Sequence, residues 1–372
     1  MQNWTLALLA LTGLLAATVP LVLVWRSADS NKYRKLAWVT VFLTFDLIVF
    51  GAFTRLTDSG LGCPDWPGCY GLANPFLAHA QISAAETLLP SGPVTVVKAW
   101  IEMIHRFLAS AIGLLCLALM AWAIVRWRAA RRSVDAPALP AAAFALVCVQ
   151  GLFGALTVTM KLQPVIVTTH LLLGMLLLVP LTWLGARHDR LPGAGAGPAG
   201  VRAVRRLALL SAVLLLVQIA LGGWVSTNYA TLACSDYPLC GGQLLPQMDF
   251  GHGFTLWRKL GMTAAGDYLP LTALTAIHWV HRNFALLVIA GLGWTVWRAW
   301  PLAPLRREAG LIAAVLLLQA STGIATLYLN FPLPIAVLHN AGAAVLVLLV
   351  TMLNYKAQHQ LGTAPQAHAS RT

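Results

Sequence analysis

Long apolar runs, each closed by a short polar segment, recur from one end of the chain to the other. Most are about 20 residues long, the length an α-helix needs to cross ~30 Å of hydrocarbon. The pattern predicts nine such helices, at 4–25, 36–54, 98–125, 139–159, 165–186, 206–225, 273–297, 308–327 and 333–354. The Gly- and Pro-rich segment LPGAGAGPAG (191–200) is the strongest interruption and reads as a linker between two halves.

Those halves repeat each other. Cys63 and Cys69 recur as Cys234 and Cys240, displaced by 171 residues, and QGLFGALTV (150–158) recurs as QASTGIATL (319–327), displaced by 169. His170 returns as His339, and His105-Arg106 as His281-Arg282. With the first helix set aside, each half has four spans. An even number gives both halves the same orientation, related by an axis along the membrane normal. The expected fold is therefore an all-α integral membrane protein: two tandem four-helix bundles related by a pseudo-two-fold, plus one extra N-terminal helix. Residues 1–35 form that helix and its loop, 36–190 the first repeat, 191–205 the linker, 206–354 the second repeat and 355–372 a tail.

Composition agrees. Hydrophobic residues make up 59% of the 372 and charged ones only 10%, which excludes an ordinary soluble domain. A net charge of +13 would suit nucleic acid, but its placement does not. Most of the 25 Lys and Arg residues gather in alternate segments: 26–36, 126–136, 187–206, 298–307 and the tail. This is the positive-inside pattern of a chain in a lipid bilayer. It places the N-terminus outside and the C-terminus in the cytoplasm, and no nucleic-acid partner is expected. MQNW carries no basic leader, so the first helix is expected to be retained. The lack of an Arg-rich transit peptide favours a bacterial plasma membrane.

The predicted topology puts His105, His170, His281 and His339 at one depth, roughly 8–12 Å below the outer surface at ~1.5 Å per residue. An imidazole in lipid needs a polar partner. Two on facing helices can ligate a heme iron from both faces, pairing His105 with His170 and His281 with His339. The alternative is four hydrogen-bonded packing histidines, which gives no reason for a shared depth. Arg106 and Arg282, each next to a histidine, can bind heme propionates through paired hydrogen bonds or reach the headgroups.

Glu102 breaks the symmetry. It lies one turn before His105, where the second half has His278. An intramembrane carboxylate reads as functional, able to move protons or hold water, with an ion pair to an arginine as the alternative. The first half is thus expected to do chemistry and the second to hold a permanent cofactor. On spacing alone His278 competes with His281 as ligand; the repeat favours His281. Asp46, mid-span, has no acidic twin.

Cys63/Cys69 and Cys234/Cys240 fall in outer loops. An oxidising periplasm favours two disulfides there, and a metal site is the weaker alternative. Cys116 and Cys148 fall within spans and read as small apolar residues.

Several segments carry a resemblance: GAFTRLTDSGLGCPDWPGCYG (51–71), EMIHRF (102–107), QGLFGALTV with TTHLLLG (150–174), HWVHRN (278–283) and LHNAGA (338–343). Together they resemble the heme A synthase family, in order, over roughly residues 36–354. The resemblance implies an oxidoreductase that turns the C8 methyl of heme O into a formyl group by successive hydroxylations. It puts substrate heme on His105 and His170, makes Glu102 the catalytic carboxylate, and puts heme b on His281 and His339 as an electron relay. Cys63–Cys69 matches a family pair linked to activity. Heme O synthase is the implied upstream partner, an electron donor of unstated identity is required, and cytochrome oxidase consumes the product. From the residues alone, a di-heme electron carrier and a heme transporter also stand.

Overall fold

The computed structural model describes residues 2–189, 191 and 197–363. Among them are eleven α-helices: α1 (Gln2–Arg26), α2 (Lys32–Leu56), α3 (His79–Leu88), α4 (Val96–Ala130), α5 (Ala138–Thr159), α6 (Pro164–Ala186), α7 (Pro198–Thr227), α8 (Phe250–Gly253), α9 (Leu271–Ala299), α10 (Arg306–Tyr328) and α11 (Leu333–Thr363). A 3₁₀ turn (Ser133–Asp135) and isolated bridges, but no strands, accompany them among the described residues. Nine of these helices are long and apolar enough to cross a membrane, and each contains one of the nine expected spans. The protein is an all-α, multi-pass membrane protein.

The helices start where local chemistry allows. Asn31 and Thr95 accept the backbone N–H of Arg34 and Lys98 ahead of α2 and α4. Pro164 and Pro198 open α6 and α7, where a missing N–H costs nothing. Hydropathy underestimates α7 and α11 the most. α7 begins at Pro198, inside the expected 191–205 linker, and α11 runs to Thr363, into the expected 355–372 tail. Both extensions are polar: Arg205 donates to Gln358 at 3.3 Å, and Lys356 pairs with buried Glu308 at 2.7 Å. A helix leaving the hydrocarbon keeps its backbone bonds while its side chains turn hydrophilic, so an apolar window ends before the helix does. Of the expected linker and tail, residues 192–196 and 364–372 lie outside the described residues.

Helices α2, α4, α5 and α6 close one four-membered ring of contacts, and α7, α9, α10 and α11 close another. The rings meet through α6–α11, α2–α11 and α6–α7, a set that maps onto itself when the halves are exchanged. Met175 and Leu178 of α6 share one apolar core with Leu215, Leu292 and Val347 of the second half. Left-handed backbone recurs at matched positions: Asp58 with Tyr229, Lys161 and Leu162 with Asn330 and Phe331. Equivalent residues also touch each other. Arg55 donates to the carbonyl of its counterpart Ser226 at 2.6 Å, and the Tyr229 hydroxyl donates to its counterpart Asp58 at 2.7 Å. Such contacts between equivalents arise where a two-fold axis passes, here between the ends of α2 and α7.

Helix α1 stands outside both rings, packed on α4 and α2. Ala17 and Val24 are buried, and Gly13 admits Ser110 of α4, whose Cβ would lie 3.0 Å from an added methyl. The Thr5 hydroxyl donates to the Gly71 carbonyl, joining α1 to the first disulfide loop. Leu8, Leu11, Leu15 and Val19 remain exposed, as suits a face meeting lipid.

Arg55 also pairs with Asp58 at 3.0 Å and lies 4.4 Å from the centroid of the Tyr229 ring, so one guanidinium joins the halves. Arg55→Ala should lower the thermal unfolding midpoint of the detergent-solubilised protein by the equivalent of about 1.5–3 kcal/mol, the usual worth of a charged hydrogen bond. Helix content by circular dichroism should stay unchanged.

Candidate functional site

Each of the four histidines enters its helix from the end that carries both disulfide loops. His105 is nine residues into α4 and His281 ten into α9; His170 and His339 are each six residues into α6 and α11. They therefore lie about 9–15 Å along their helices from that end. His105 and His170 are within electrostatic reach of each other, as are His281 and His339.

A glycine on a neighbouring helix backs every one of these rings. A Cβ at Gly51 would lie 2.9 Å from Cε1 of His105, at Gly154 3.2 Å from that of His170, at Gly222 3.0 Å from that of His281, and at Gly323 3.3 Å from that of His339. Real Cβ atoms seldom come so close, so each imidazole rests its Cε1 edge against bare backbone. The four glycines are two repeat pairs, Gly51/Gly222 and Gly154/Gly323. Their shared displacement is the signal by which the sequence marks them.

The second pair lines a cavity of about 260 Å³, many times the ~10–15 Å³ one water occupies. His278, Arg282, Gln218 and Gln319 also face it. In the first bundle, Phe50 stacks on His105, ring centroids 6.1 Å apart.

Arg106 and Arg282 both turn to the disulfide loops. Arg106 Nη1 donates to the carbonyls of Asp65, Pro67 and Gly68; Arg282 Nη2 donates to those of Pro238 and Leu239, the counterparts of Pro67 and Gly68. They differ in what remains. Arg106 Nη2 bonds Glu102 Oε1 at 2.5 Å. Arg282 Nη1 is buried with no hydrogen-bond partner among the described residues. A guanidinium left so can take a carboxylate from a ligand.

Glu102 and His278 are equivalent in structure as in sequence. Glu102 Oε2 accepts the Cys63 N–H at 2.7 Å, and His278 Nδ1 accepts the Cys234 N–H at 3.3 Å. Each receives the first half-cystine of its loop. Glu102 is 4% exposed, an intramembrane carboxylate fully engaged by a guanidinium and a peptide N–H. Asp46, by contrast, lies exposed on the surface of α2, one turn after the exposed Phe42.

Cys63–Cys69 and Cys234–Cys240 are disulfides, with S–S distances of 2.06 and 2.05 Å. An aspartate braces each loop from within: Asp65 accepts from the N–H groups of Tyr70 and Gly71, and Asp236 from those of Gly241 and Gly242. The Gly242 and Gly241 N–H groups hold the Asp236 carboxyl below its ordinary value of 3.8. With the folded value depressed, this brace is complete above that value and is lost as pH falls through the folded one. Cys116 is buried and Cys148 exposed, both as free thiols.

Nine apolar spans, two histidine pairs and two braced disulfide loops define a polytopic membrane protein with duplicated histidine sites. The profile of the cytochrome oxidase assembly protein family matches residues 34–351. Heme A synthase of Shewanella oneidensis is 37% identical over 332 residues, 88% of this chain and 98% of that protein. Heme A synthase of Erythrobacter litoralis is 30% identical over 363 residues, 90% of this chain and 98% of its own length. That of Rhodospirillum centenum is 31% identical over 343 residues, 86% and 87% of the two chains. The chain belongs to the heme A synthase family, and it is a membrane oxidoreductase.

Because Cys63 and Cys69 are fully buried, a reductant reaches them only when the loop opens. Arg106→Ala removes three carbonyl contacts that keep it closed. Cys63–Cys69 should then be reduced by added dithiol about tenfold faster, the effect of ~1.4 kcal/mol. Cys234–Cys240 serves as the internal control, both scored by mass spectrometry of alkylated peptides.

Proposed function

We propose that the chain converts heme O to heme A, oxidising the C8 methyl group to a formyl group by successive hydroxylations with loss of water. The observation that carries this reading is the unequal pair Glu102–Arg106 and His278–Arg282. In the first bundle a resident carboxylate already satisfies the arginine. In the second, the unpartnered Nη1 of Arg282 is left for an acid group brought by a bound molecule. A heme propionate fits that need, and the glycine-backed histidines fit a flat macrocycle between them. His281 and His339 would then hold the iron of heme b, with Arg282 at a propionate. Bound there, heme b supplies one-electron transfer.

The first bundle is the substrate site. His105 and His170 bind the iron of heme O and fix the macrocycle relative to Glu102. Arg106 and the Cys63 N–H hold Glu102 in one place, where it is set to exchange protons or to orient water beside the methyl carbon. His278, bonded to Cys234, carries no such charge and serves to seat its loop. Heme O synthase is the upstream partner, and an electron donor completes the cycle.

The basic residues cluster at the end opposite the disulfide loops, which supports a bacterial plasma membrane with the loops and N-terminus in the periplasm and the C-terminus in the cytoplasm.

Two substitutions test the reading. Glu102→Gln preserves volume and removes charge. The variant should retain heme b and both disulfides, yet accumulate heme O or its hydroxylated intermediate, with heme A reduced by about 100-fold or more. Pigment extraction and chromatography measure this, and normal heme A yield would overturn the role of Glu102. His339→Ala should abolish the heme b spectrum while protein persists in the membrane. Unchanged heme b in that variant would refute the ligand assignment.

A further inference from the structure

Both histidines of the second bundle have a side-chain partner at Nδ1. The Thr322 hydroxyl lies 3.0 Å from Nδ1 of His339, and the Gln218 amide nitrogen 3.1 Å from Nδ1 of His281. Neither partner exists in the first bundle. Nδ1 of His105 and Nδ1 of His170 are buried with no hydrogen-bond partner among the described residues. The reason is legible residue by residue. The repeat places Leu47 opposite Gln218 and Phe153 opposite Thr322, two apolar side chains for two polar ones. Meanwhile the glycines that back the rings are retained in all four places. The cradle is conserved between the halves and the ring partners are not.

A histidine that ligates iron through Nε2 carries its proton on Nδ1. An acceptor there fixes the tautomer and ring angle and strengthens the donor nitrogen. Thr322 supplies an oxygen at that position. At His281 the Gln218 amide nitrogen lies against Nδ1 and donates to the His281 carbonyl; turning the amide over brings its Oε1, which has no partner among the described residues, to the Nδ1 proton that a ligated ring carries. In the first bundle a ligated histidine has a buried, unsatisfied N–H, and ligation is weaker by that cost. A further difference points the same way. The Gln150 amide rests 3.5 Å from Nε2 of His170, the nitrogen an iron would use, whereas its counterpart Gln319 is turned to the His339 carbonyl at 2.9 Å. Gln150 thus gives His170 a polar neighbour when no ligand is bound, which lowers the cost of emptying the site.

We propose that these ring partners decide residence: Gln218 and Thr322 make the second bundle retain its heme, and Leu47 and Phe153 make the first bundle release what it binds. The proposal rests on assigning the first bundle to substrate and the second to cofactor. Gln218, Thr322, Leu47 and Phe153 are positioning residues, acting through the histidines.

The test uses the purified holoprotein in detergent, with excess apomyoglobin as heme acceptor. Gln218→Leu and Thr322→Val should each speed heme b transfer by about 10- to 100-fold and shift its midpoint potential. Thr322→Ser, which keeps the hydroxyl, should restore both. In the opposite direction, Leu47→Gln should make the protein co-purify with more of the heme that otherwise leaves, and release it at least tenfold more slowly. Transfer rates within twofold of the parent in Gln218→Leu and Thr322→Val would overturn the proposal, as would equal loss from Thr322→Ser and Thr322→Val. Failure of the underlying assignment looks different: resident heme b would disappear on His105→Ala and persist on His339→Ala, whatever the exchange rates.

Discussion

A polar ring nitrogen inside hydrocarbon has no water to bind, and that constraint governs the interior of this protein. Two histidine pairs sit there, and the fold serves each of the four rings the same way: a neighbouring helix with bare backbone at its Cε1 edge. The two arginines meet the same constraint by donating to peptide carbonyls of the disulfide loops. Loop, arginine and histidine are thus one mechanical unit in each half. The aspartate inside the loop shapes it, the disulfide closes it, the arginine anchors it, and the residue one turn before the histidine receives its first half-cystine.

Against that shared frame, the differences between halves are few and chemical. Glu102 stands where His278 stands, and this changes the charge beside the arginine. Leu47 and Phe153 stand where Gln218 and Thr322 stand, and this changes what the rings can bond. None of these exchanges alters a helix or a turn. The left-handed residues at Lys161–Leu162 and Asn330–Phe331 keep the connections alike, so the scaffold tolerates unlike contents.

Much of this was legible in the sequence. The nine spans, the duplication and the cysteine pairing follow from apolar run length and fixed displacement, signals that tertiary packing does not override. The helix ends of α7 and α11 were not, because charged residues such as Arg205 and Lys356 mark an exit from lipid and not an end of helix. Arginine roles were half legible: Arg106 and Arg282 were recognisable as membrane-embedded cations needing acceptors, but their use of Gly68 and Leu239 carbonyls depends on how a loop folds back. Gln218 carried no signal at all, since its repeat partner is a leucine and a lone glutamine in a span reads as ordinary. The glutamate was legible as an asymmetry, yet its bond to the Cys63 peptide joins positions 39 residues apart.

The contacts on the axis, Arg55 with Ser226 and Asp58 with Tyr229, join positions that would be the same residue in a dimer of identical halves. Such a dimer would set arginine against arginine at one contact and aspartate against aspartate at the other. It would also be bound to put the same group beside every histidine pair. Joining the halves in one polypeptide removes that obligation. Each position on the axis is free to complement its opposite, and one bundle is free to keep an acid that the other lacks. Division of labour between two near-identical chambers is therefore a property of the covalent connection itself, available to this chain and closed to any symmetric assembly of its halves.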